Sequence, residues 1–233
     1  MTIAGPVLAL DSSTSGGSVA VAVDGRVVAE RVLPSAAGAS SLLMPAVDEA
    51  VRAAGLHPRD LAAVVAAGGP GSFTGLRIAA ATAKAIVRAL GVPLYAYSGL
   101  LATAAAHRRE GRSVCALFDA RNREVFAGCW RFADGGVHDV LPPTIMAVEE
   151  VIDGLRGTSV LFTGDGAVLH AEELEAVFGP GSVHPLGDES PAAGLLWLAR
   201  TVPERGLVPA PAAWEPEYLR ASGAERIAAA RAG

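Results

Sequence analysis

Residues 61–90 read LAAVVAAGGPGSFTGLRIAAATAKAIVRAL: an apolar run, a burst of glycines, then a long alanine-rich segment. The apolar run is short and carries β-branched Val64 and Val65, which predicts a strand over 61–67. Beyond the glycines, Leu76, Ala80, Ala83, Val87 and Leu90 recur at helical spacing. That predicts a helix over about 74–90, stopped by Gly91, with Ser72 or Thr74 as N-cap. Strand, glycine turn and helix is also an order that holds phosphate, because the free N–H groups of a helix's first turn attract anions. The spacing argues against that use here. A P-loop needs G-x-x-x-x-G-K-[ST], but Gly75 is followed by Leu76 and Arg77, and the only lysine, Lys84, lies well inside the helix. The dinucleotide pattern G-x-G-x-x-G finds Thr74 where its third glycine should be. A tight capped turn is the favoured reading, with weak anion affinity at Gly71 and Ser72 as the other.

Towards the N-terminus, VLALD (7–11) and SVAVAVDGRVVAERVL (18–33), with Asp24-Gly25 between two alternating runs, predict three antiparallel strands. A helix is expected over about 41–54, with Ser40 or Ser41 as N-cap, Pro45 in or near the first turn, Val47, Val51 and Ala54 on one face, and Gly55 ending it. Residues 92–97 read as a strand and Ser98 to about His107 as a helix. The order βββαβαβα then begins again, with strands at 113–119, 125–132 and 136–141, a helix at 146–155 and a strand at 159–166. Asp11 and Asp119 fall at matching places, and the Gly68 to Gly75 turn matches Gly164-Asp165-Gly166. The polar stretch HRREGR (107–112) divides the chain into an N-terminal half, 1–107, and a smaller C-terminal half, 108–220. A helix is expected near 190–202. The prolines of VPERGLVPAPAAWEP then predict no regular structure, and 221–233 reads as a flexible or frayed helical tail.

Composition narrows the chemistry. With 51% hydrophobic and 18% charged residues over 233 positions the chain can bury a full core. No apolar run approaches the ~20 residues of a membrane span, and no basic residues precede a signal-peptide core, so the expected address is the cytoplasm. A net charge of −5 speaks against strong nucleic-acid binding by this chain alone. The five histidines are scattered without a metal-ligand pair, so no metal site is expected, and Cys115 and Cys129 read as small buried side chains in a reducing compartment. No G-x-S-x-G elbow surrounds Ser12, Ser13 or Ser72. Asp11 and Asp119 end strands beside turns, where a carboxylate either holds magnesium next to a phosphate or ties the turn to its own N–H groups. The helix at 74–90 carries a second apolar line, Ile78, Thr82, Ala85 and Ala89, and a basic line, Arg77, Lys84 and Arg88. A helix with one polar stripe and apolar residues on two sides is either clamped within its own domain or packed against another protein, and its alanines permit close helix approach.

Several motifs in order, LALDSST (8–14), GGPGSFTGLRIA (68–79), VPLYAYSGLLATA (92–104), FDARNREVF (118–126) and EPEYLR (215–220), resemble one family closely. The chain is similar to the TsaB (YeaZ) family of tRNA threonylcarbamoyladenosine synthesis. The resemblance implies an α/β fold of two tandem RNase H-like domains of the actin, Hsp70 and sugar-kinase type, with mixed five-stranded sheets flanked by helices. It also implies a non-catalytic subunit, a shortened relative of the metal-bearing transferase TsaD. Such a subunit binds TsaD through its N-terminal half, receives the ATPase TsaE on the pair, forms a homodimer when isolated, and meets tRNA only through the complex. ATP or ADP and magnesium would act only in that complex, with no cofactor of the chain's own. The partner face is expected at Leu42, Pro45, Ala46, Glu49, Phe73, Arg77, Ile78, Thr82, Ala85 and Ala89, and weak nucleotide or phosphate contacts at Asp11, Ser12, Gly71, Ser72 and Asp119. On this reading Ala83→Glu or Ile78→Glu breaks the complex and leaves the fold intact. The chain departs from the family at Ala39, where many members have a histidine. The alternative is a small-molecule kinase or ATPase of the same fold, with Asp11 and Asp119 around a magnesium nucleotide in the inter-domain cleft. Two halves this short leave little room for it.

Overall fold

A strand covered on both faces is an unbroken apolar run, whereas an edge strand can stay polar. The computed structural model describes residues 3–13, 16–34, 39–109, 111–185 and 190–219. In it β1 (Val7–Asp11) and β2 (Ser18–Val23) are buried almost throughout, and β3 (Arg26–Val32) is the largely exposed edge. The three pair antiparallel, with Asp24 and Gly25 in the left-handed region at the hairpin. Helix α1 (Ala39–Ala53) follows. It begins earlier than predicted, so Ser40 and Ser41 are helical rather than caps and Pro45 lies beyond the first turn; the proline costs one hydrogen bond, which packing of the helix on the sheet tolerates. Gly55 ends it at φ 71°.

After a 3₁₀ turn (Pro58–Asp60), β4 (Ala63–Ala67) runs parallel to β1. Helix α2 (Phe73–Leu90) then starts at the Ser72 cap and stops at left-handed Gly91. Strand β5 (Leu94–Tyr97) joins β4 in parallel, and α3 (Gly99–Ala106) is buried along its whole length behind the Ser98 cap. The first sheet has the order β3-β2-β1-β4-β5.

The second sheet repeats that plan. β6 (Arg112–Arg121), β7 (Glu124–Ala133) and β8 (Gly136–Ala147) are antiparallel, α4 (Val148–Leu155) crosses over, and β9 (Val160–Thr163) and β10 (Val183–His184) pair parallel beside β6. The order β10-β9-β6-β7-β8 matches the first sheet strand for strand. Strand β8 runs on past its expected end at 141, through Pro142 and Pro143, which an edge strand accommodates. Between β9 and β10 stand two helices that periodicity did not separate, α5 (Asp165–Leu169) and α6 (Ala171–Phe178). Helix α7 (Pro191–Thr201) is capped by Ser190. The proline-rich stretch after it does contain one regular turn, α8 (Pro203–Gly206), because Pro203 sits at a first helical position where its fixed φ is favourable. The tail expected at 221–233 lies outside the described residues.

Alternation along the strands assigns the layers. Leu8, Leu10, Val19, Val21, Val64 and Ala66 face α1 and α2. Their neighbours Ala9, Ala20, Val65 and Tyr97 turn the other way, into a core built with α3, α7 and Val114, Ala116, Trp130 and Leu161 of the second sheet. Cys115, Leu117, Cys129 and Phe162 pack under α4, α5 and α6. The layers are therefore helix, sheet, helix, sheet, helix. Helix α7 lies on β1 and β2 although it belongs to the C-terminal part of the sequence.

Candidate functional site

The glycine turn is closed by the chain itself. Gly75 lies so near β1 that a Cβ there would be 1.7 Å from the Ser12 carbonyl oxygen, and one on Gly71 would be 2.4 Å from that of Ser13. Hydrogen bonds fix the approach: the Ser72 N–H donates to the Ser13 carbonyl at 2.8 Å, and the Ser12 hydroxyl donates to the Gly75 carbonyl at 2.7 Å. The Ser72 hydroxyl accepts from the Gly75 N–H at 3.3 Å, which settles the N-cap in favour of Ser72 over Thr74. The start of α2 thus rests on the main chain just beyond β1.

The two aspartates sit differently. Asp11 is fully buried, and its Oδ1 accepts the Ser13 N–H at 2.8 Å together with the Ser13 hydroxyl. Asp119 is exposed, its Oδ1 accepting the Arg121 N–H at 2.7 Å. The turn beyond it holds Arg121, Asn122 and Arg123 at φ 66°, 56° and 62°, a conformation that ordinary side chains resist. Ion pairs from Arg123 to Glu149 and Glu173 hold it in place. Asp165 accepts the Asp119 N–H at 3.1 Å; the residue is exposed at the surface, and partial desolvation of its carboxyl raises its pKa from the ordinary value. Both aspartates accept N–H groups of their own turns, the contact expected of the turn-tying reading. Among the described residues no three histidine, cysteine or acidic side chains gather as a metal-ligand group.

The expected partner residues divide into three sets. Phe73 and Tyr218 are each 37% exposed, their rings are 5.0 Å apart, and the Arg77 guanidinium lies 4.8 Å from the Phe73 ring centre. This aromatic and cationic stack at the start of α2 was only half visible in the sequence, because Tyr218 arrives from the far end of the chain. Next, Ala85 and Ala89 are exposed and Ile78 and Thr82 half-buried, forming the outward side of α2. The residues on α1 are less uniform. Ala46 is 4% exposed and belongs to the core, so it is not available to a partner, while Leu42, Pro45 and Glu49 are exposed. Glu49 pairs with Arg31 of β3 at 3.5 Å, which places that flank of α1 towards the sheet edge, away from α2. Helical spacing puts Met44, 52% exposed, on the opposite flank, beside α2. Met44 was not among the expected partner residues, which on α1 were Leu42, Pro45, Ala46 and Glu49.

Two expectations about α2 are corrected. Ala83 is fully buried, so Ala83→Glu is a core lesion, not an interface probe. The basic line is not a uniform face either: Lys84 pairs with Glu215 at 3.0 Å, and Arg77 stacks on Phe73. Glu215 belongs to a strap, residues 207–218, that crosses α2 on its β5 side. The strap is anchored by Val208 N–H to the Leu94 carbonyl at 3.0 Å, by Glu217 N–H to the Gly68 carbonyl at 2.7 Å, and by Trp214 against the core. It covers part of the apolar surface that looked surplus.

Comparison with known proteins places this geometry. A family model described as "TsaD: tRNA N6-adenosine threonylcarbamoyltransferase" matches residues 30–178. The tRNA threonylcarbamoyladenosine biosynthesis protein TsaB of Bacillus subtilis is 30% identical, over 94% of this chain and 96% of its own length. The chain belongs to the TsaB (YeaZ) family. Among solved structures, YeaZ from Pseudomonas aeruginosa superposes with a TM-score of 0.75 at 29% identity, over 92% of this chain and 100% of that one. A second Pseudomonas aeruginosa structure, an uncharacterized protein with similarity to peptidase YEAZ, gives 0.74 at 30% identity, over 93% of this chain and all of that one. The TsaB family works in tRNA threonylcarbamoyladenosine synthesis, a pathway that includes TsaD-like proteins, one of which, from Rhizobium meliloti, is 48% identical over 54 residues. No helix of the described residues is long and apolar enough to cross a membrane.

Proposed function

We propose that this chain is a non-catalytic subunit of the threonylcarbamoyladenosine machinery that binds and activates TsaD through the outward sides of α1 and α2. The observation that carries this is the pairing of a closed glycine turn with an open helix face. Where a nucleotide-binding relative would need room, Gly71 and Gly75 rest on Ser13 and Ser12. Where a partner would dock, Met44 on α1 and Ala85 and Ala89 on α2 are exposed and Ile78 is half-buried, and the Phe73, Arg77 and Tyr218 stack stands at the start of α2. Aromatic and arginine side chains supply much of the binding energy of protein interfaces, and alanines let a second helix approach closely. TsaD shares ancestry with this chain, as the match of its family model supports. The same face would pair two copies of the isolated chain.

The duplicated strand order supports reading the fold as two tandem RNase H-like halves of the actin type, the first carrying the docking face. ATP or ADP, magnesium and TsaE then belong to the assembled complex in the cytoplasm, and tRNA is met through the partners, in keeping with a net charge of −5. Reconstitution with TsaC, TsaD and TsaE, with and without this chain, tests the proposal: modification of tRNA should depend on the chain, while calorimetry of the chain alone with magnesium-ATP stays silent. Turnover of ATP by the isolated chain would instead favour a kinase or ATPase.

A further inference from the structure

The antiparallel register of β6 and β7 sets Cys115 directly opposite Cys129. Both side chains leave the sheet on the face covered by α4, both are fully buried, and each thiol is a hydrogen-bond neighbour of the other. Fourteen residues apart, two lone cysteines looked unrelated in the sequence; the hairpin makes them a pair. Docking on α1 and α2 makes no use of them, since they lie in the other sheet.

We propose that Cys115 and Cys129 are a redox modification site: a dithiol that a hydroperoxide closes to a cross-strand disulfide and that a small thiol reopens. Facing residues of an antiparallel pair hold their Cβ atoms about 4.5–5.5 Å apart, whereas a disulfide takes about 3.5–4.5 Å, so closure requires a local pinch. Strand β7 can supply it. Its register against β8 shifts between Ala127 and Cys129 and again between Cys129 and Trp130, which frees this segment from the strict ladder. Reduction by a small thiol needs the same local opening that admits the oxidant.

The chemistry balances with the peroxide as two-electron oxidant. One thiolate attacks a peroxide oxygen, the O–O bond breaks, and a sulfenic acid forms as water leaves. The second thiolate attacks that sulfur, the S–S bond forms, the S–O bond breaks, and a second water departs. Burial pushes the Cys115 thiol well above its ordinary pKa and keeps the oxidant out, so opening of the bulged segment gates the reaction.

The test treats the full-length chain with hydrogen peroxide, with and without urea below the unfolding transition, then unfolds it, alkylates with N-ethylmaleimide and weighs it. Both thiols should disappear together, with the loss of two hydrogens and a linked peptide joining the two cysteines. Urea should speed the reaction, glutathione should reverse it, and the melting temperature of the oxidised chain should rise by about 5–10 °C. Cys115→Ala and Cys129→Ala, each retaining one thiol, should give instead a single sulfenic acid trapped by dimedone. Two thiols still alkylated after oxidation in urea, or a disulfide joining two chains, would overturn the proposal. So would a linked chain that melts no higher than the reduced one, because the bond would then not fit the native sheet.

Discussion

Asp165 and Ala83 show how a single side chain is governed by its surroundings. Asp165 is exposed as a residue, but partial desolvation of its carboxyl is the largest influence on it and disfavours its ionised form, so its folded pKa lies above its unfolded one. The sign follows: the folded state binds the extra proton, and stability is lost as pH rises through the carboxylate range, about 4 and upward, to a plateau above the folded pKa. Asp165→Asn keeps an oxygen to accept the Asp119 and Gly166 N–H groups. Urea unfolding should find the variant more stable than the wild type at neutral pH and lose that advantage in acid; an advantage that grows in acid would contradict this. At Ala83 the α2 core line predicted in the sequence is confirmed, and a glutamate there would bury an unpaired charge. Ala83→Glu should cost more than about 3 kcal/mol, seen as a collapsed thermal transition by circular dichroism. On α1, helical spacing gives the relative positions of Leu42, Met44 and Glu49 but not which flank meets β3. The direction towards β3 came from the Arg31 and Glu49 pair.

At the scale of elements, α2 was legible almost to the residue, since its cap, its apolar line and its stop are all local signals. The strap was not. Its prolines said only that no long helix or strand forms, and its anchoring on Gly68, Lys84 and Phe73 depends on contacts more than a hundred residues distant in sequence, such as Lys84 with Glu215. Gly69 tests the strap directly. It has φ +104°, and a Cβ there would lie 2.2 Å from the Glu217 carbonyl oxygen. Gly69→Ala should lift residues 215–218 from the turn, raise their amide hydrogen exchange by at least about tenfold, and separate Tyr218 from Phe73, while the strands of the second sheet keep their protection. Unchanged exchange at Glu217 would mean the strap is held elsewhere. Helices α5 and α6 were missed for a different reason: each is short, and the glycine turn ahead of α5 masked its start.

For the whole molecule, the repeated element order in the sequence foretold two mixed sheets, because order survives where residue identity does not; five strands in each was what the family resemblance implied, and the last of them, β10, was not read from the residues. What the order could not reveal is the shared middle layer. Helices α3 and α7 pack between the sheets in one core with Tyr97, Trp130 and Leu161, so the second half buttresses the first. The α1 and α2 face, the proposed docking surface, lies on the far side of the first sheet from that layer. The most direct test is the affinity of this chain for TsaD, measured by calorimetry or sedimentation, for the wild type, Ala85→Glu and Met44→Glu. Both positions are exposed, so both variants should keep the wild-type melting temperature within about 2 °C. If the face is the docking surface, each variant weakens TsaD binding by at least about tenfold and lowers tRNA modification in the reconstituted system with it. Wild-type affinity in both variants would place the TsaD contact elsewhere and contradict the account.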